Sequence, residues 1–315
     1  MYKDKTICAV VPAYNEETLL EKVVYTMPTF VDHIVIINDK STDSTEAQAL
    51  LLQEKDHRVV LINHEKNQGV GGAIATGYKW ARDNSIDMAV VMAGDGQMDP
   101  IDLPNLIDPI VNDGVDYSKG NRLVYEEAYH LMPKVRFFGN AILSFLTKIA
   151  SGYWHIADSQ TGYTVISLNA LKRIDWDKMY KRYGQPNDIL VRLNVENMRV
   201  RDVPIRPVYN IGEKSGFKPR QVLWPISRLL LKMFFWRLWK KYMIRDAHPL
   251  FLFIFLSCIL FTAAFLFFLR LIYLWNSLGQ MPEITLIIFL FTVAFGIQTF
   301  LFGIWMDMDK NKNLR

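Results

Sequence analysis

Four short segments of this chain carry residue types that could do chemistry: VPAYNEE from Val11, NDKSTDST from Asn38, NHEKNQGVGGA from Asn63 and MAGDGQMDP from Met92. In the second, Asp39 stands where a strand would end, and Ser41 or Thr42 can cap the helix that follows. The glycines of the third permit close backbone approach at a helix N-terminus, a position that favours anions. The fourth places Asp95 and Gln97 on a tight turn. Acidic turn residues and caps are individually commonplace, so each segment alone reads equally well as plain structure. Convergence of all four on one rim would make a ligand site.

The elements around them decide whether they converge. Short apolar runs at Ile7–Val11, His33–Ile37, Val59–Ile62 and Met88–Met92 predict strands, each immediately upstream of one of the four segments. Amphipathic stretches at Glu16–Met27, Ser44–Glu54, Gly71–Asp83 and Leu103–Asn112 predict helices. This alternation is the rhythm of an α/β fold, a mostly parallel sheet with helices on both faces. Such sheets bind ligands beyond the carboxyl ends of their strands.

In their order along the chain these segments resemble the family 2 inverting glycosyltransferases of GT-A fold (Rossmann-like), and within them the polyisoprenyl-phosphate sugar synthases such as dolichyl-phosphate mannose synthase. The similarity covers about residues 5–218. It implies that Pro12, Tyr14 and Glu16 line a base and ribose pocket, that Asp39 contacts base or ribose, and that Asn67 and Gly69 shape the nucleotide side of the cleft. Asp95 corresponds to the last aspartate of the family's Asp-X-Asp metal motif and Gln97 to the glutamine two positions on. Together they imply an Mg²⁺ or Mn²⁺ cofactor. Ala93 replaces the first aspartate of that motif, which implies weaker metal affinity without nucleotide, or an inactive paralogue.

On the acceptor side the resemblance assigns a lipid phosphate to Arg122 and Arg136, with Asn140 one turn beyond Arg136. Paired guanidinium groups suit phosphate through charge-assisted hydrogen bonds, although Arg122 reads as well as a partner of Glu126 or Glu127. DSQTGYTVIS resembles the family's Asp-X-Gln-X-Gly-aromatic segment and offers Asp158 as a catalytic group and Gln160 near the transferred sugar. Asp188 stands at a looser match to the family's sugar-contacting or catalytic acid; Asn187 or Asp188 could equally cap the next helix. Lys214, Ser215 and Lys218 either close over phosphate or belong to a flexible basic linker.

Of the 315 residues 50% are hydrophobic, and the excess lies in the last third. Pro249–Leu269 and Ile284–Met306 contain no charged residue, and each has the roughly 20 residues needed to cross a hydrocarbon core. The segment LIYLWNSLGQMPE between them reads as a tight external turn. Arg220, Arg228, Lys232, Arg237, Lys240, Lys241 and Arg245 crowd the approach to the first run, among Phe and Trp, a pattern suited to an anionic membrane surface. A formal net charge of +4 is too small to suggest nucleic acid. The positive flanks predict that both termini and the N-terminal domain are cytoplasmic, at the inner (plasma) membrane. The run Ile7–Pro12 is too short for a signal peptide, so none is expected. With two cysteines, Cys8 and Cys258, in apolar runs, no disulfide or cysteine metal site is expected.

The expected organisation is therefore a GT-A domain over 1–218, juxtamembrane amphipathic helices over 219–247, a two-helix transmembrane hairpin over 248–306 (spans at about 249–270 and 284–306) and a tail over 307–315. The expected partners are a nucleotide-sugar donor, favouring UDP over GDP, a polyprenyl phosphate (undecaprenyl or dolichyl), the membrane, and further copies of the chain through the apolar helices. Two other readings compete: a processive polysaccharide synthase, which lacks support because no Gln-X-X-Arg-Trp segment occurs, and a membrane scaffold on an inactive transferase domain, motivated by Ala93.

Overall fold

The computed structural model describes residues 1–124, 134–206 and 219–315. Seven strands form one sheet: β1 (Ile7–Ala13), β2 (His33–Asn38), β3 (Val59–Asn63), β4 (Met88–Val91), β5 (Tyr117–Asn121), β6 (Thr164–Ser167) and β7 (Val200–Pro204), in the order β3-β2-β1-β4-β6-β5-β7. β1 pairs in parallel with β2 and β4, β2 with β3, and β5 with β7, while β6 runs antiparallel to both neighbours. Every residue of β1 is buried, as expected of a parallel strand covered on both faces. Alternation sends Cys8, Val10, Val35 and Ile37 into one core layer and Ile7, Ala9, Val11, Ile34 and Ile36 into the other.

The helices of this part are α1 (Leu20–Tyr25), α2 (Thr45–Lys55), α3 (Val70–Asp83), α4 (Leu103–Asp113), α5 (Lys134–Ser151), α6 (Leu168–Arg173), α7 (Gln185–Val195) and α8 (Pro219–Arg237). The first is shorter than the apolar periodicity suggests. Its expected opening residues are taken up elsewhere: the Glu16 amide donates to Thr45 Oγ1, and the Glu17 carboxylate accepts from the Ser44 amide. Because β1, β2 and β3 run in parallel with β4 on the same side of the sheet, their carboxyl ends share one edge. All four polar segments begin there.

Residues 1–234 with 314–315 form one compact unit and residues 235–313 a second. The second holds a π-helical turn over Leu238–Arg245, then α9 (Leu250–Leu278) and α10 (Glu283–Asn311). Both long helices are apolar enough to cross a membrane, and only 22% of each apolar window is buried, the reverse of a soluble core helix. Each has 29 residues, roughly 43 Å at helical rise, which exceeds a hydrocarbon core of about 30 Å. The turn expected over LIYLWNSLGQMPE is shorter still: LIYLWNSL stays helical because nothing in it breaks a helix, and the chain reverses over Gly279–Pro282. Thr292, Gly296, Gly303 and Asp307 lie on the buried seam of α10, with Gly296 against Phe261 and Gly303 against Ile254.

The basic approach segment needs a second correction. Arg237 and Lys241 do not face a membrane surface; they are buried. The Arg237 guanidinium grips Asp307 with bonds of 2.7 and 3.0 Å, and Asp307 also accepts from Tyr242 Oη at 2.5 Å. Lys241 Nζ donates to Asn311 Oδ1 at 2.8 Å. Asp307 was expected to begin a tail, yet it closes the last turns of α10 onto the π-helical segment. Removing one partner of such a pair strands a buried charge, so Asp307→Ala is expected to destabilise this unit by about 3–5 kcal/mol. Joint replacement of Arg237 and Asp307 by leucine should recover most of that loss. Thermal unfolding in detergent distinguishes the two variants.

Candidate active site

Seven residues expected at the nucleotide line one cavity of about 380 Å³: Pro12, Tyr14, Glu16, Asp39, Asn67, Gly69 and Asp95. They come from the ends of β1, β2, β3 and β4, so the four segments meet. Two further residues of its wall, Arg182 and Tyr183, come from a distant loop. Their only sequence signal is a basic, aromatic stretch, KRYGQPND, just before α7.

Asp39 is 3% exposed and holds this wall together. Its Oδ1 accepts from the Gln68 amide at 2.8 Å and lies 2.7 Å from His64 Nδ1, while Oδ2 accepts from the Gly69 amide at 2.7 Å. The glycine-rich turn therefore wraps around an internal carboxylate. The expectation of open helix-terminal amides is corrected accordingly. Beyond Val70, the amides of Gly71 and Gly72 both donate to the Lys181 carbonyl at 2.9 and 3.2 Å. This contact explains the glycines: Gly69 has φ +82°, and a Cβ there would lie 2.6 Å from the Lys181 oxygen, while one on Gly71 would lie 2.2 Å from the Tyr180 oxygen. Neither distance is tolerable to backbone.

Asp188 supports the same loop from behind. It is 1% exposed, accepts from the Tyr180 amide at 2.8 Å and pairs with Arg192 at 2.9 Å. Burial pushes its carboxyl up, and Arg192 opposes that. It lies in the first turns of α7, which starts at Gln185, so it does not cap that helix. Nor does it line the donor cavity.

Asp95 stands on the cavity wall beside Gly94 and Glu16, and its Oδ1 accepts from the Gln97 amide at 3.1 Å. The Gln97 side chain is outside the lining. Among the described residues no cluster of three or more His, Cys, Asp or Glu side chains could hold a metal by itself. Asp95 on an open wall fits a hard divalent cation that takes few protein ligands and completes its shell from phosphate and water.

The acceptor-side residues form a separate network. Arg122 leaves the end of β5 and meets Asp158 through Nε at 2.8 Å and Nη2 at 3.2 Å. Asp158 is fully buried; burial works against its charge, but Arg122 and Lys119 outweigh it and hold the carboxyl below the usual range. The expected alternative partners of Arg122, Glu126 and Glu127, lie outside the described residues, as do the Arg136 side chain and Lys214, Ser215 and Lys218. Gln160 Nε2 donates to Asn187 Oδ1 at 2.8 Å, and Thr147 Oγ1 reaches the same oxygen. Asn140, Ser144 and Thr147 are buried along one face of α5, where Ser144 receives the Ser159 amide. That polar seam was not apparent from sequence, because its hydroxyls are scattered among large apolar residues.

A buried and a half-buried ionisable group complete the network. Lys119, at 0% exposure, has its ammonium pushed down to about 8 by burial; Asp202 has its carboxyl pushed up to about 7 by the same cause. Asp202 accepts from Asn121 Nδ2 at 2.9 Å and from the Ala157 amide at 2.6 Å. It thus braces both segments that carry the Arg122–Asp158 pair.

A seven-stranded mixed sheet with a cavity at its carboxyl edge and an aspartate on the cavity wall is the architecture of a GT-A fold. The solved structure of glucosyl-3-phosphoglycerate synthase from Mycobacterium tuberculosis, in complex with Mn²⁺, UDP and glucosyl-3-phosphoglycerate, superposes with TM-score 0.53 and 19% identity over 74% of this chain and 80% of that one, a likeness of fold. The family described as glycosyl transferase family 2 matches residues 8–175, more than half of the chain, and the chain belongs to it. It is therefore a glycosyltransferase. The UDP-N-acetylglucosamine–dolichyl-phosphate N-acetylglucosaminyltransferase of Methanococcus voltae is 35% identical over 219 residues, 65% of this chain and 87% of that protein. The undecaprenyl-phosphate mannosyltransferase of Micrococcus luteus is 26% identical over 205 residues, 63% and 82%.

Two outcomes are expected from this geometry. Gly71→Ala should weaken UDP binding at least about tenfold, since a shift worth 1.4 kcal/mol suffices, as read by calorimetric titration. For Asp202 the folded carboxyl holds its proton to about pH 7 whereas an unfolded one releases it near 3.8. The folded state then binds more protons in that window, so stability falls as pH rises through it. Asp202→Asn should flatten this decline in melting temperature between about pH 4 and pH 7.

Proposed function

We propose that this glycosyltransferase moves a monosaccharide, with inversion, from a UDP-sugar to a polyprenyl phosphate at the cytoplasmic face of the plasma membrane. The observation that carries the reading is the meeting of seven residues from four strand ends around one cavity with Asp95 on its wall. The acceptors named for the relatives, dolichyl and undecaprenyl phosphate, support the lipid half. UDP in the relative from Methanococcus voltae and in the M. tuberculosis structure supports the donor. The two apolar helices, with basic residues before the first and Lys310 and Lys312 at the end of the second, support a membrane anchor with cytoplasmic termini. Copies of the chain associate through the outward faces of those helices.

Pro12, Tyr14 and Glu16 hold the base and ribose, and the Asp39-braced turn shapes the wall beside them. Asp95 would hold Mg²⁺ or Mn²⁺ with the donor's diphosphate, and the cation would supply charge for the departing UDP. Arg122, its plane fixed by Asp158, and Arg136 receive the lipid phosphate. A phosphate monoester has its second pKa near about 6 and is largely dianionic at neutral pH, so its oxygen attacks the anomeric carbon without a general base. The bond from that carbon to UDP breaks on the opposite side and UDP leaves with the electron pair. Positioning is the main task of the protein. In this reading Asp158 and Asp188 are positioning residues rather than groups that touch the sugar.

The test is product analysis. Purified protein with polyprenyl phosphate, Mn²⁺ and a panel of UDP-N-acetylglucosamine, UDP-glucose and GDP-mannose should yield one lipid-linked monosaccharide from a UDP-sugar. Asp95→Ala should lower turnover at least about a hundredfold. Asp158→Asn should raise KM for the lipid phosphate more than it lowers kcat. A polymer product would support a processive synthase. Absence of turnover with every donor would support a scaffold, the reading that Ala93 favours.

A further inference from the structure

A second cavity, of about 420 Å³, lies beside the donor cavity and shares Arg182 with it. Its wall carries five cationic side chains, Lys178, Lys181, Arg182, Arg192 and Lys232, against one carboxylate, Asp188. Asp188 is already committed to Arg192 and the Tyr180 amide. Lys178 meets Asp175 only in solvent, with side chains 76% and 48% exposed, where an ion pair is worth little. Among the described residues no ion pair engages Arg182 or Lys232. The concavity therefore carries a positive field that attracts an anion.

Its other wall is apolar. Met179, Leu229 and Met233 complete the lining, the last two from α8. On the exposed side of α8, Trp224 and Leu231 are 76% and 61% exposed, with Arg228 between them. A helix that shows bulky apolar side chains and cations to the outside suits a headgroup layer. A free phosphate would satisfy the cations but leave the half-buried Leu229 at the cavity wall uncovered. A phospholipid satisfies both.

We propose that this cavity binds the phosphodiester headgroup of an anionic bilayer phospholipid, with its glycerol and first acyl carbons over Leu229. The site rests on the membrane reading of the chain but not on its substrates, and its occupancy is read without turnover. Its lining loop is the one whose Lys181 carbonyl receives the Gly71 and Gly72 amides, so a bound headgroup stiffens a wall of the donor cavity.

The experiment is native mass spectrometry of the full chain released from detergent containing equal phosphatidylglycerol and phosphatidylcholine. One phosphatidylglycerol should be retained at least about fivefold over phosphatidylcholine, and Lys178→Gln with Lys232→Gln should cut that retention at least about fivefold, since each surface cation contributes about 1 kcal/mol. Lys232→Arg should keep it, and Lys172→Gln, which is not among the lining residues, should leave it unchanged. Equal retention of the two lipids, or undiminished retention in the double variant, overturns the proposal. Displacement by equimolar inorganic phosphate would make the site one for free anions, and preferential displacement by polyprenyl phosphate would assign it to the acceptor. Either result overturns it as well.

Discussion

The donor cavity depends on one buried carboxylate. Asp39, at the tip of β2, binds the amides of Gln68 and Gly69 and the ring of His64, so the ends of β2 and β3 and the start of α3 are fixed by a single side chain. A charge buried this deeply is tolerable only when fully hydrogen-bonded, and its three short bonds meet that condition. The helix terminus that could have held a phosphate holds Asp39 instead, and the carbonyl of Lys181 takes the following amides. The proposed nucleotide would then meet side chains at the cavity wall rather than a bare turn of backbone.

The same device recurs away from the donor. Asp158 holds Arg122, Asp202 holds the strand end and loop that carry them, Asp188 holds the loop over the glycine turn, and Asp307 holds Arg237. In the structure each of these four carboxylates braces a cation or a loop. Asp95 differs because it lies on an open wall. Supports of this kind keep reacting groups within the narrow tolerances that transfer between two large substrates demands.

Much of this was legible in sequence. The strands of the first half were visible because β1 to β4 are short, apolar and bounded by turn residues, and seven of the eight residues expected at the nucleotide sugar, all but Gln160, line the cavity beyond their ends. The apolar helices were legible from charge-free runs, though not their true ends, since LIYLWNSL carries no breaker. What stayed hidden was pairing over long separations. Nothing local marks that Arg122 faces Asp158, that Arg237 turns inward to Asp307, or that Lys181 covers Gly71. The partners are separated by 36, 70 and 110 residues respectively, far beyond any local pattern.

The central claim is that Asp39 builds the donor site without touching the chemistry. Calorimetric titration of UDP with Mn²⁺ into the wild type and into Asp39→Asn tests it directly. The amide of asparagine would face a backbone N–H, leaving a buried donor unmet at about 1–3 kcal/mol. The account predicts saturable binding to the wild type that weakens at least about tenfold in the variant, with the melting transition of the membrane helices unmoved. Equal UDP affinity in the two proteins would contradict it.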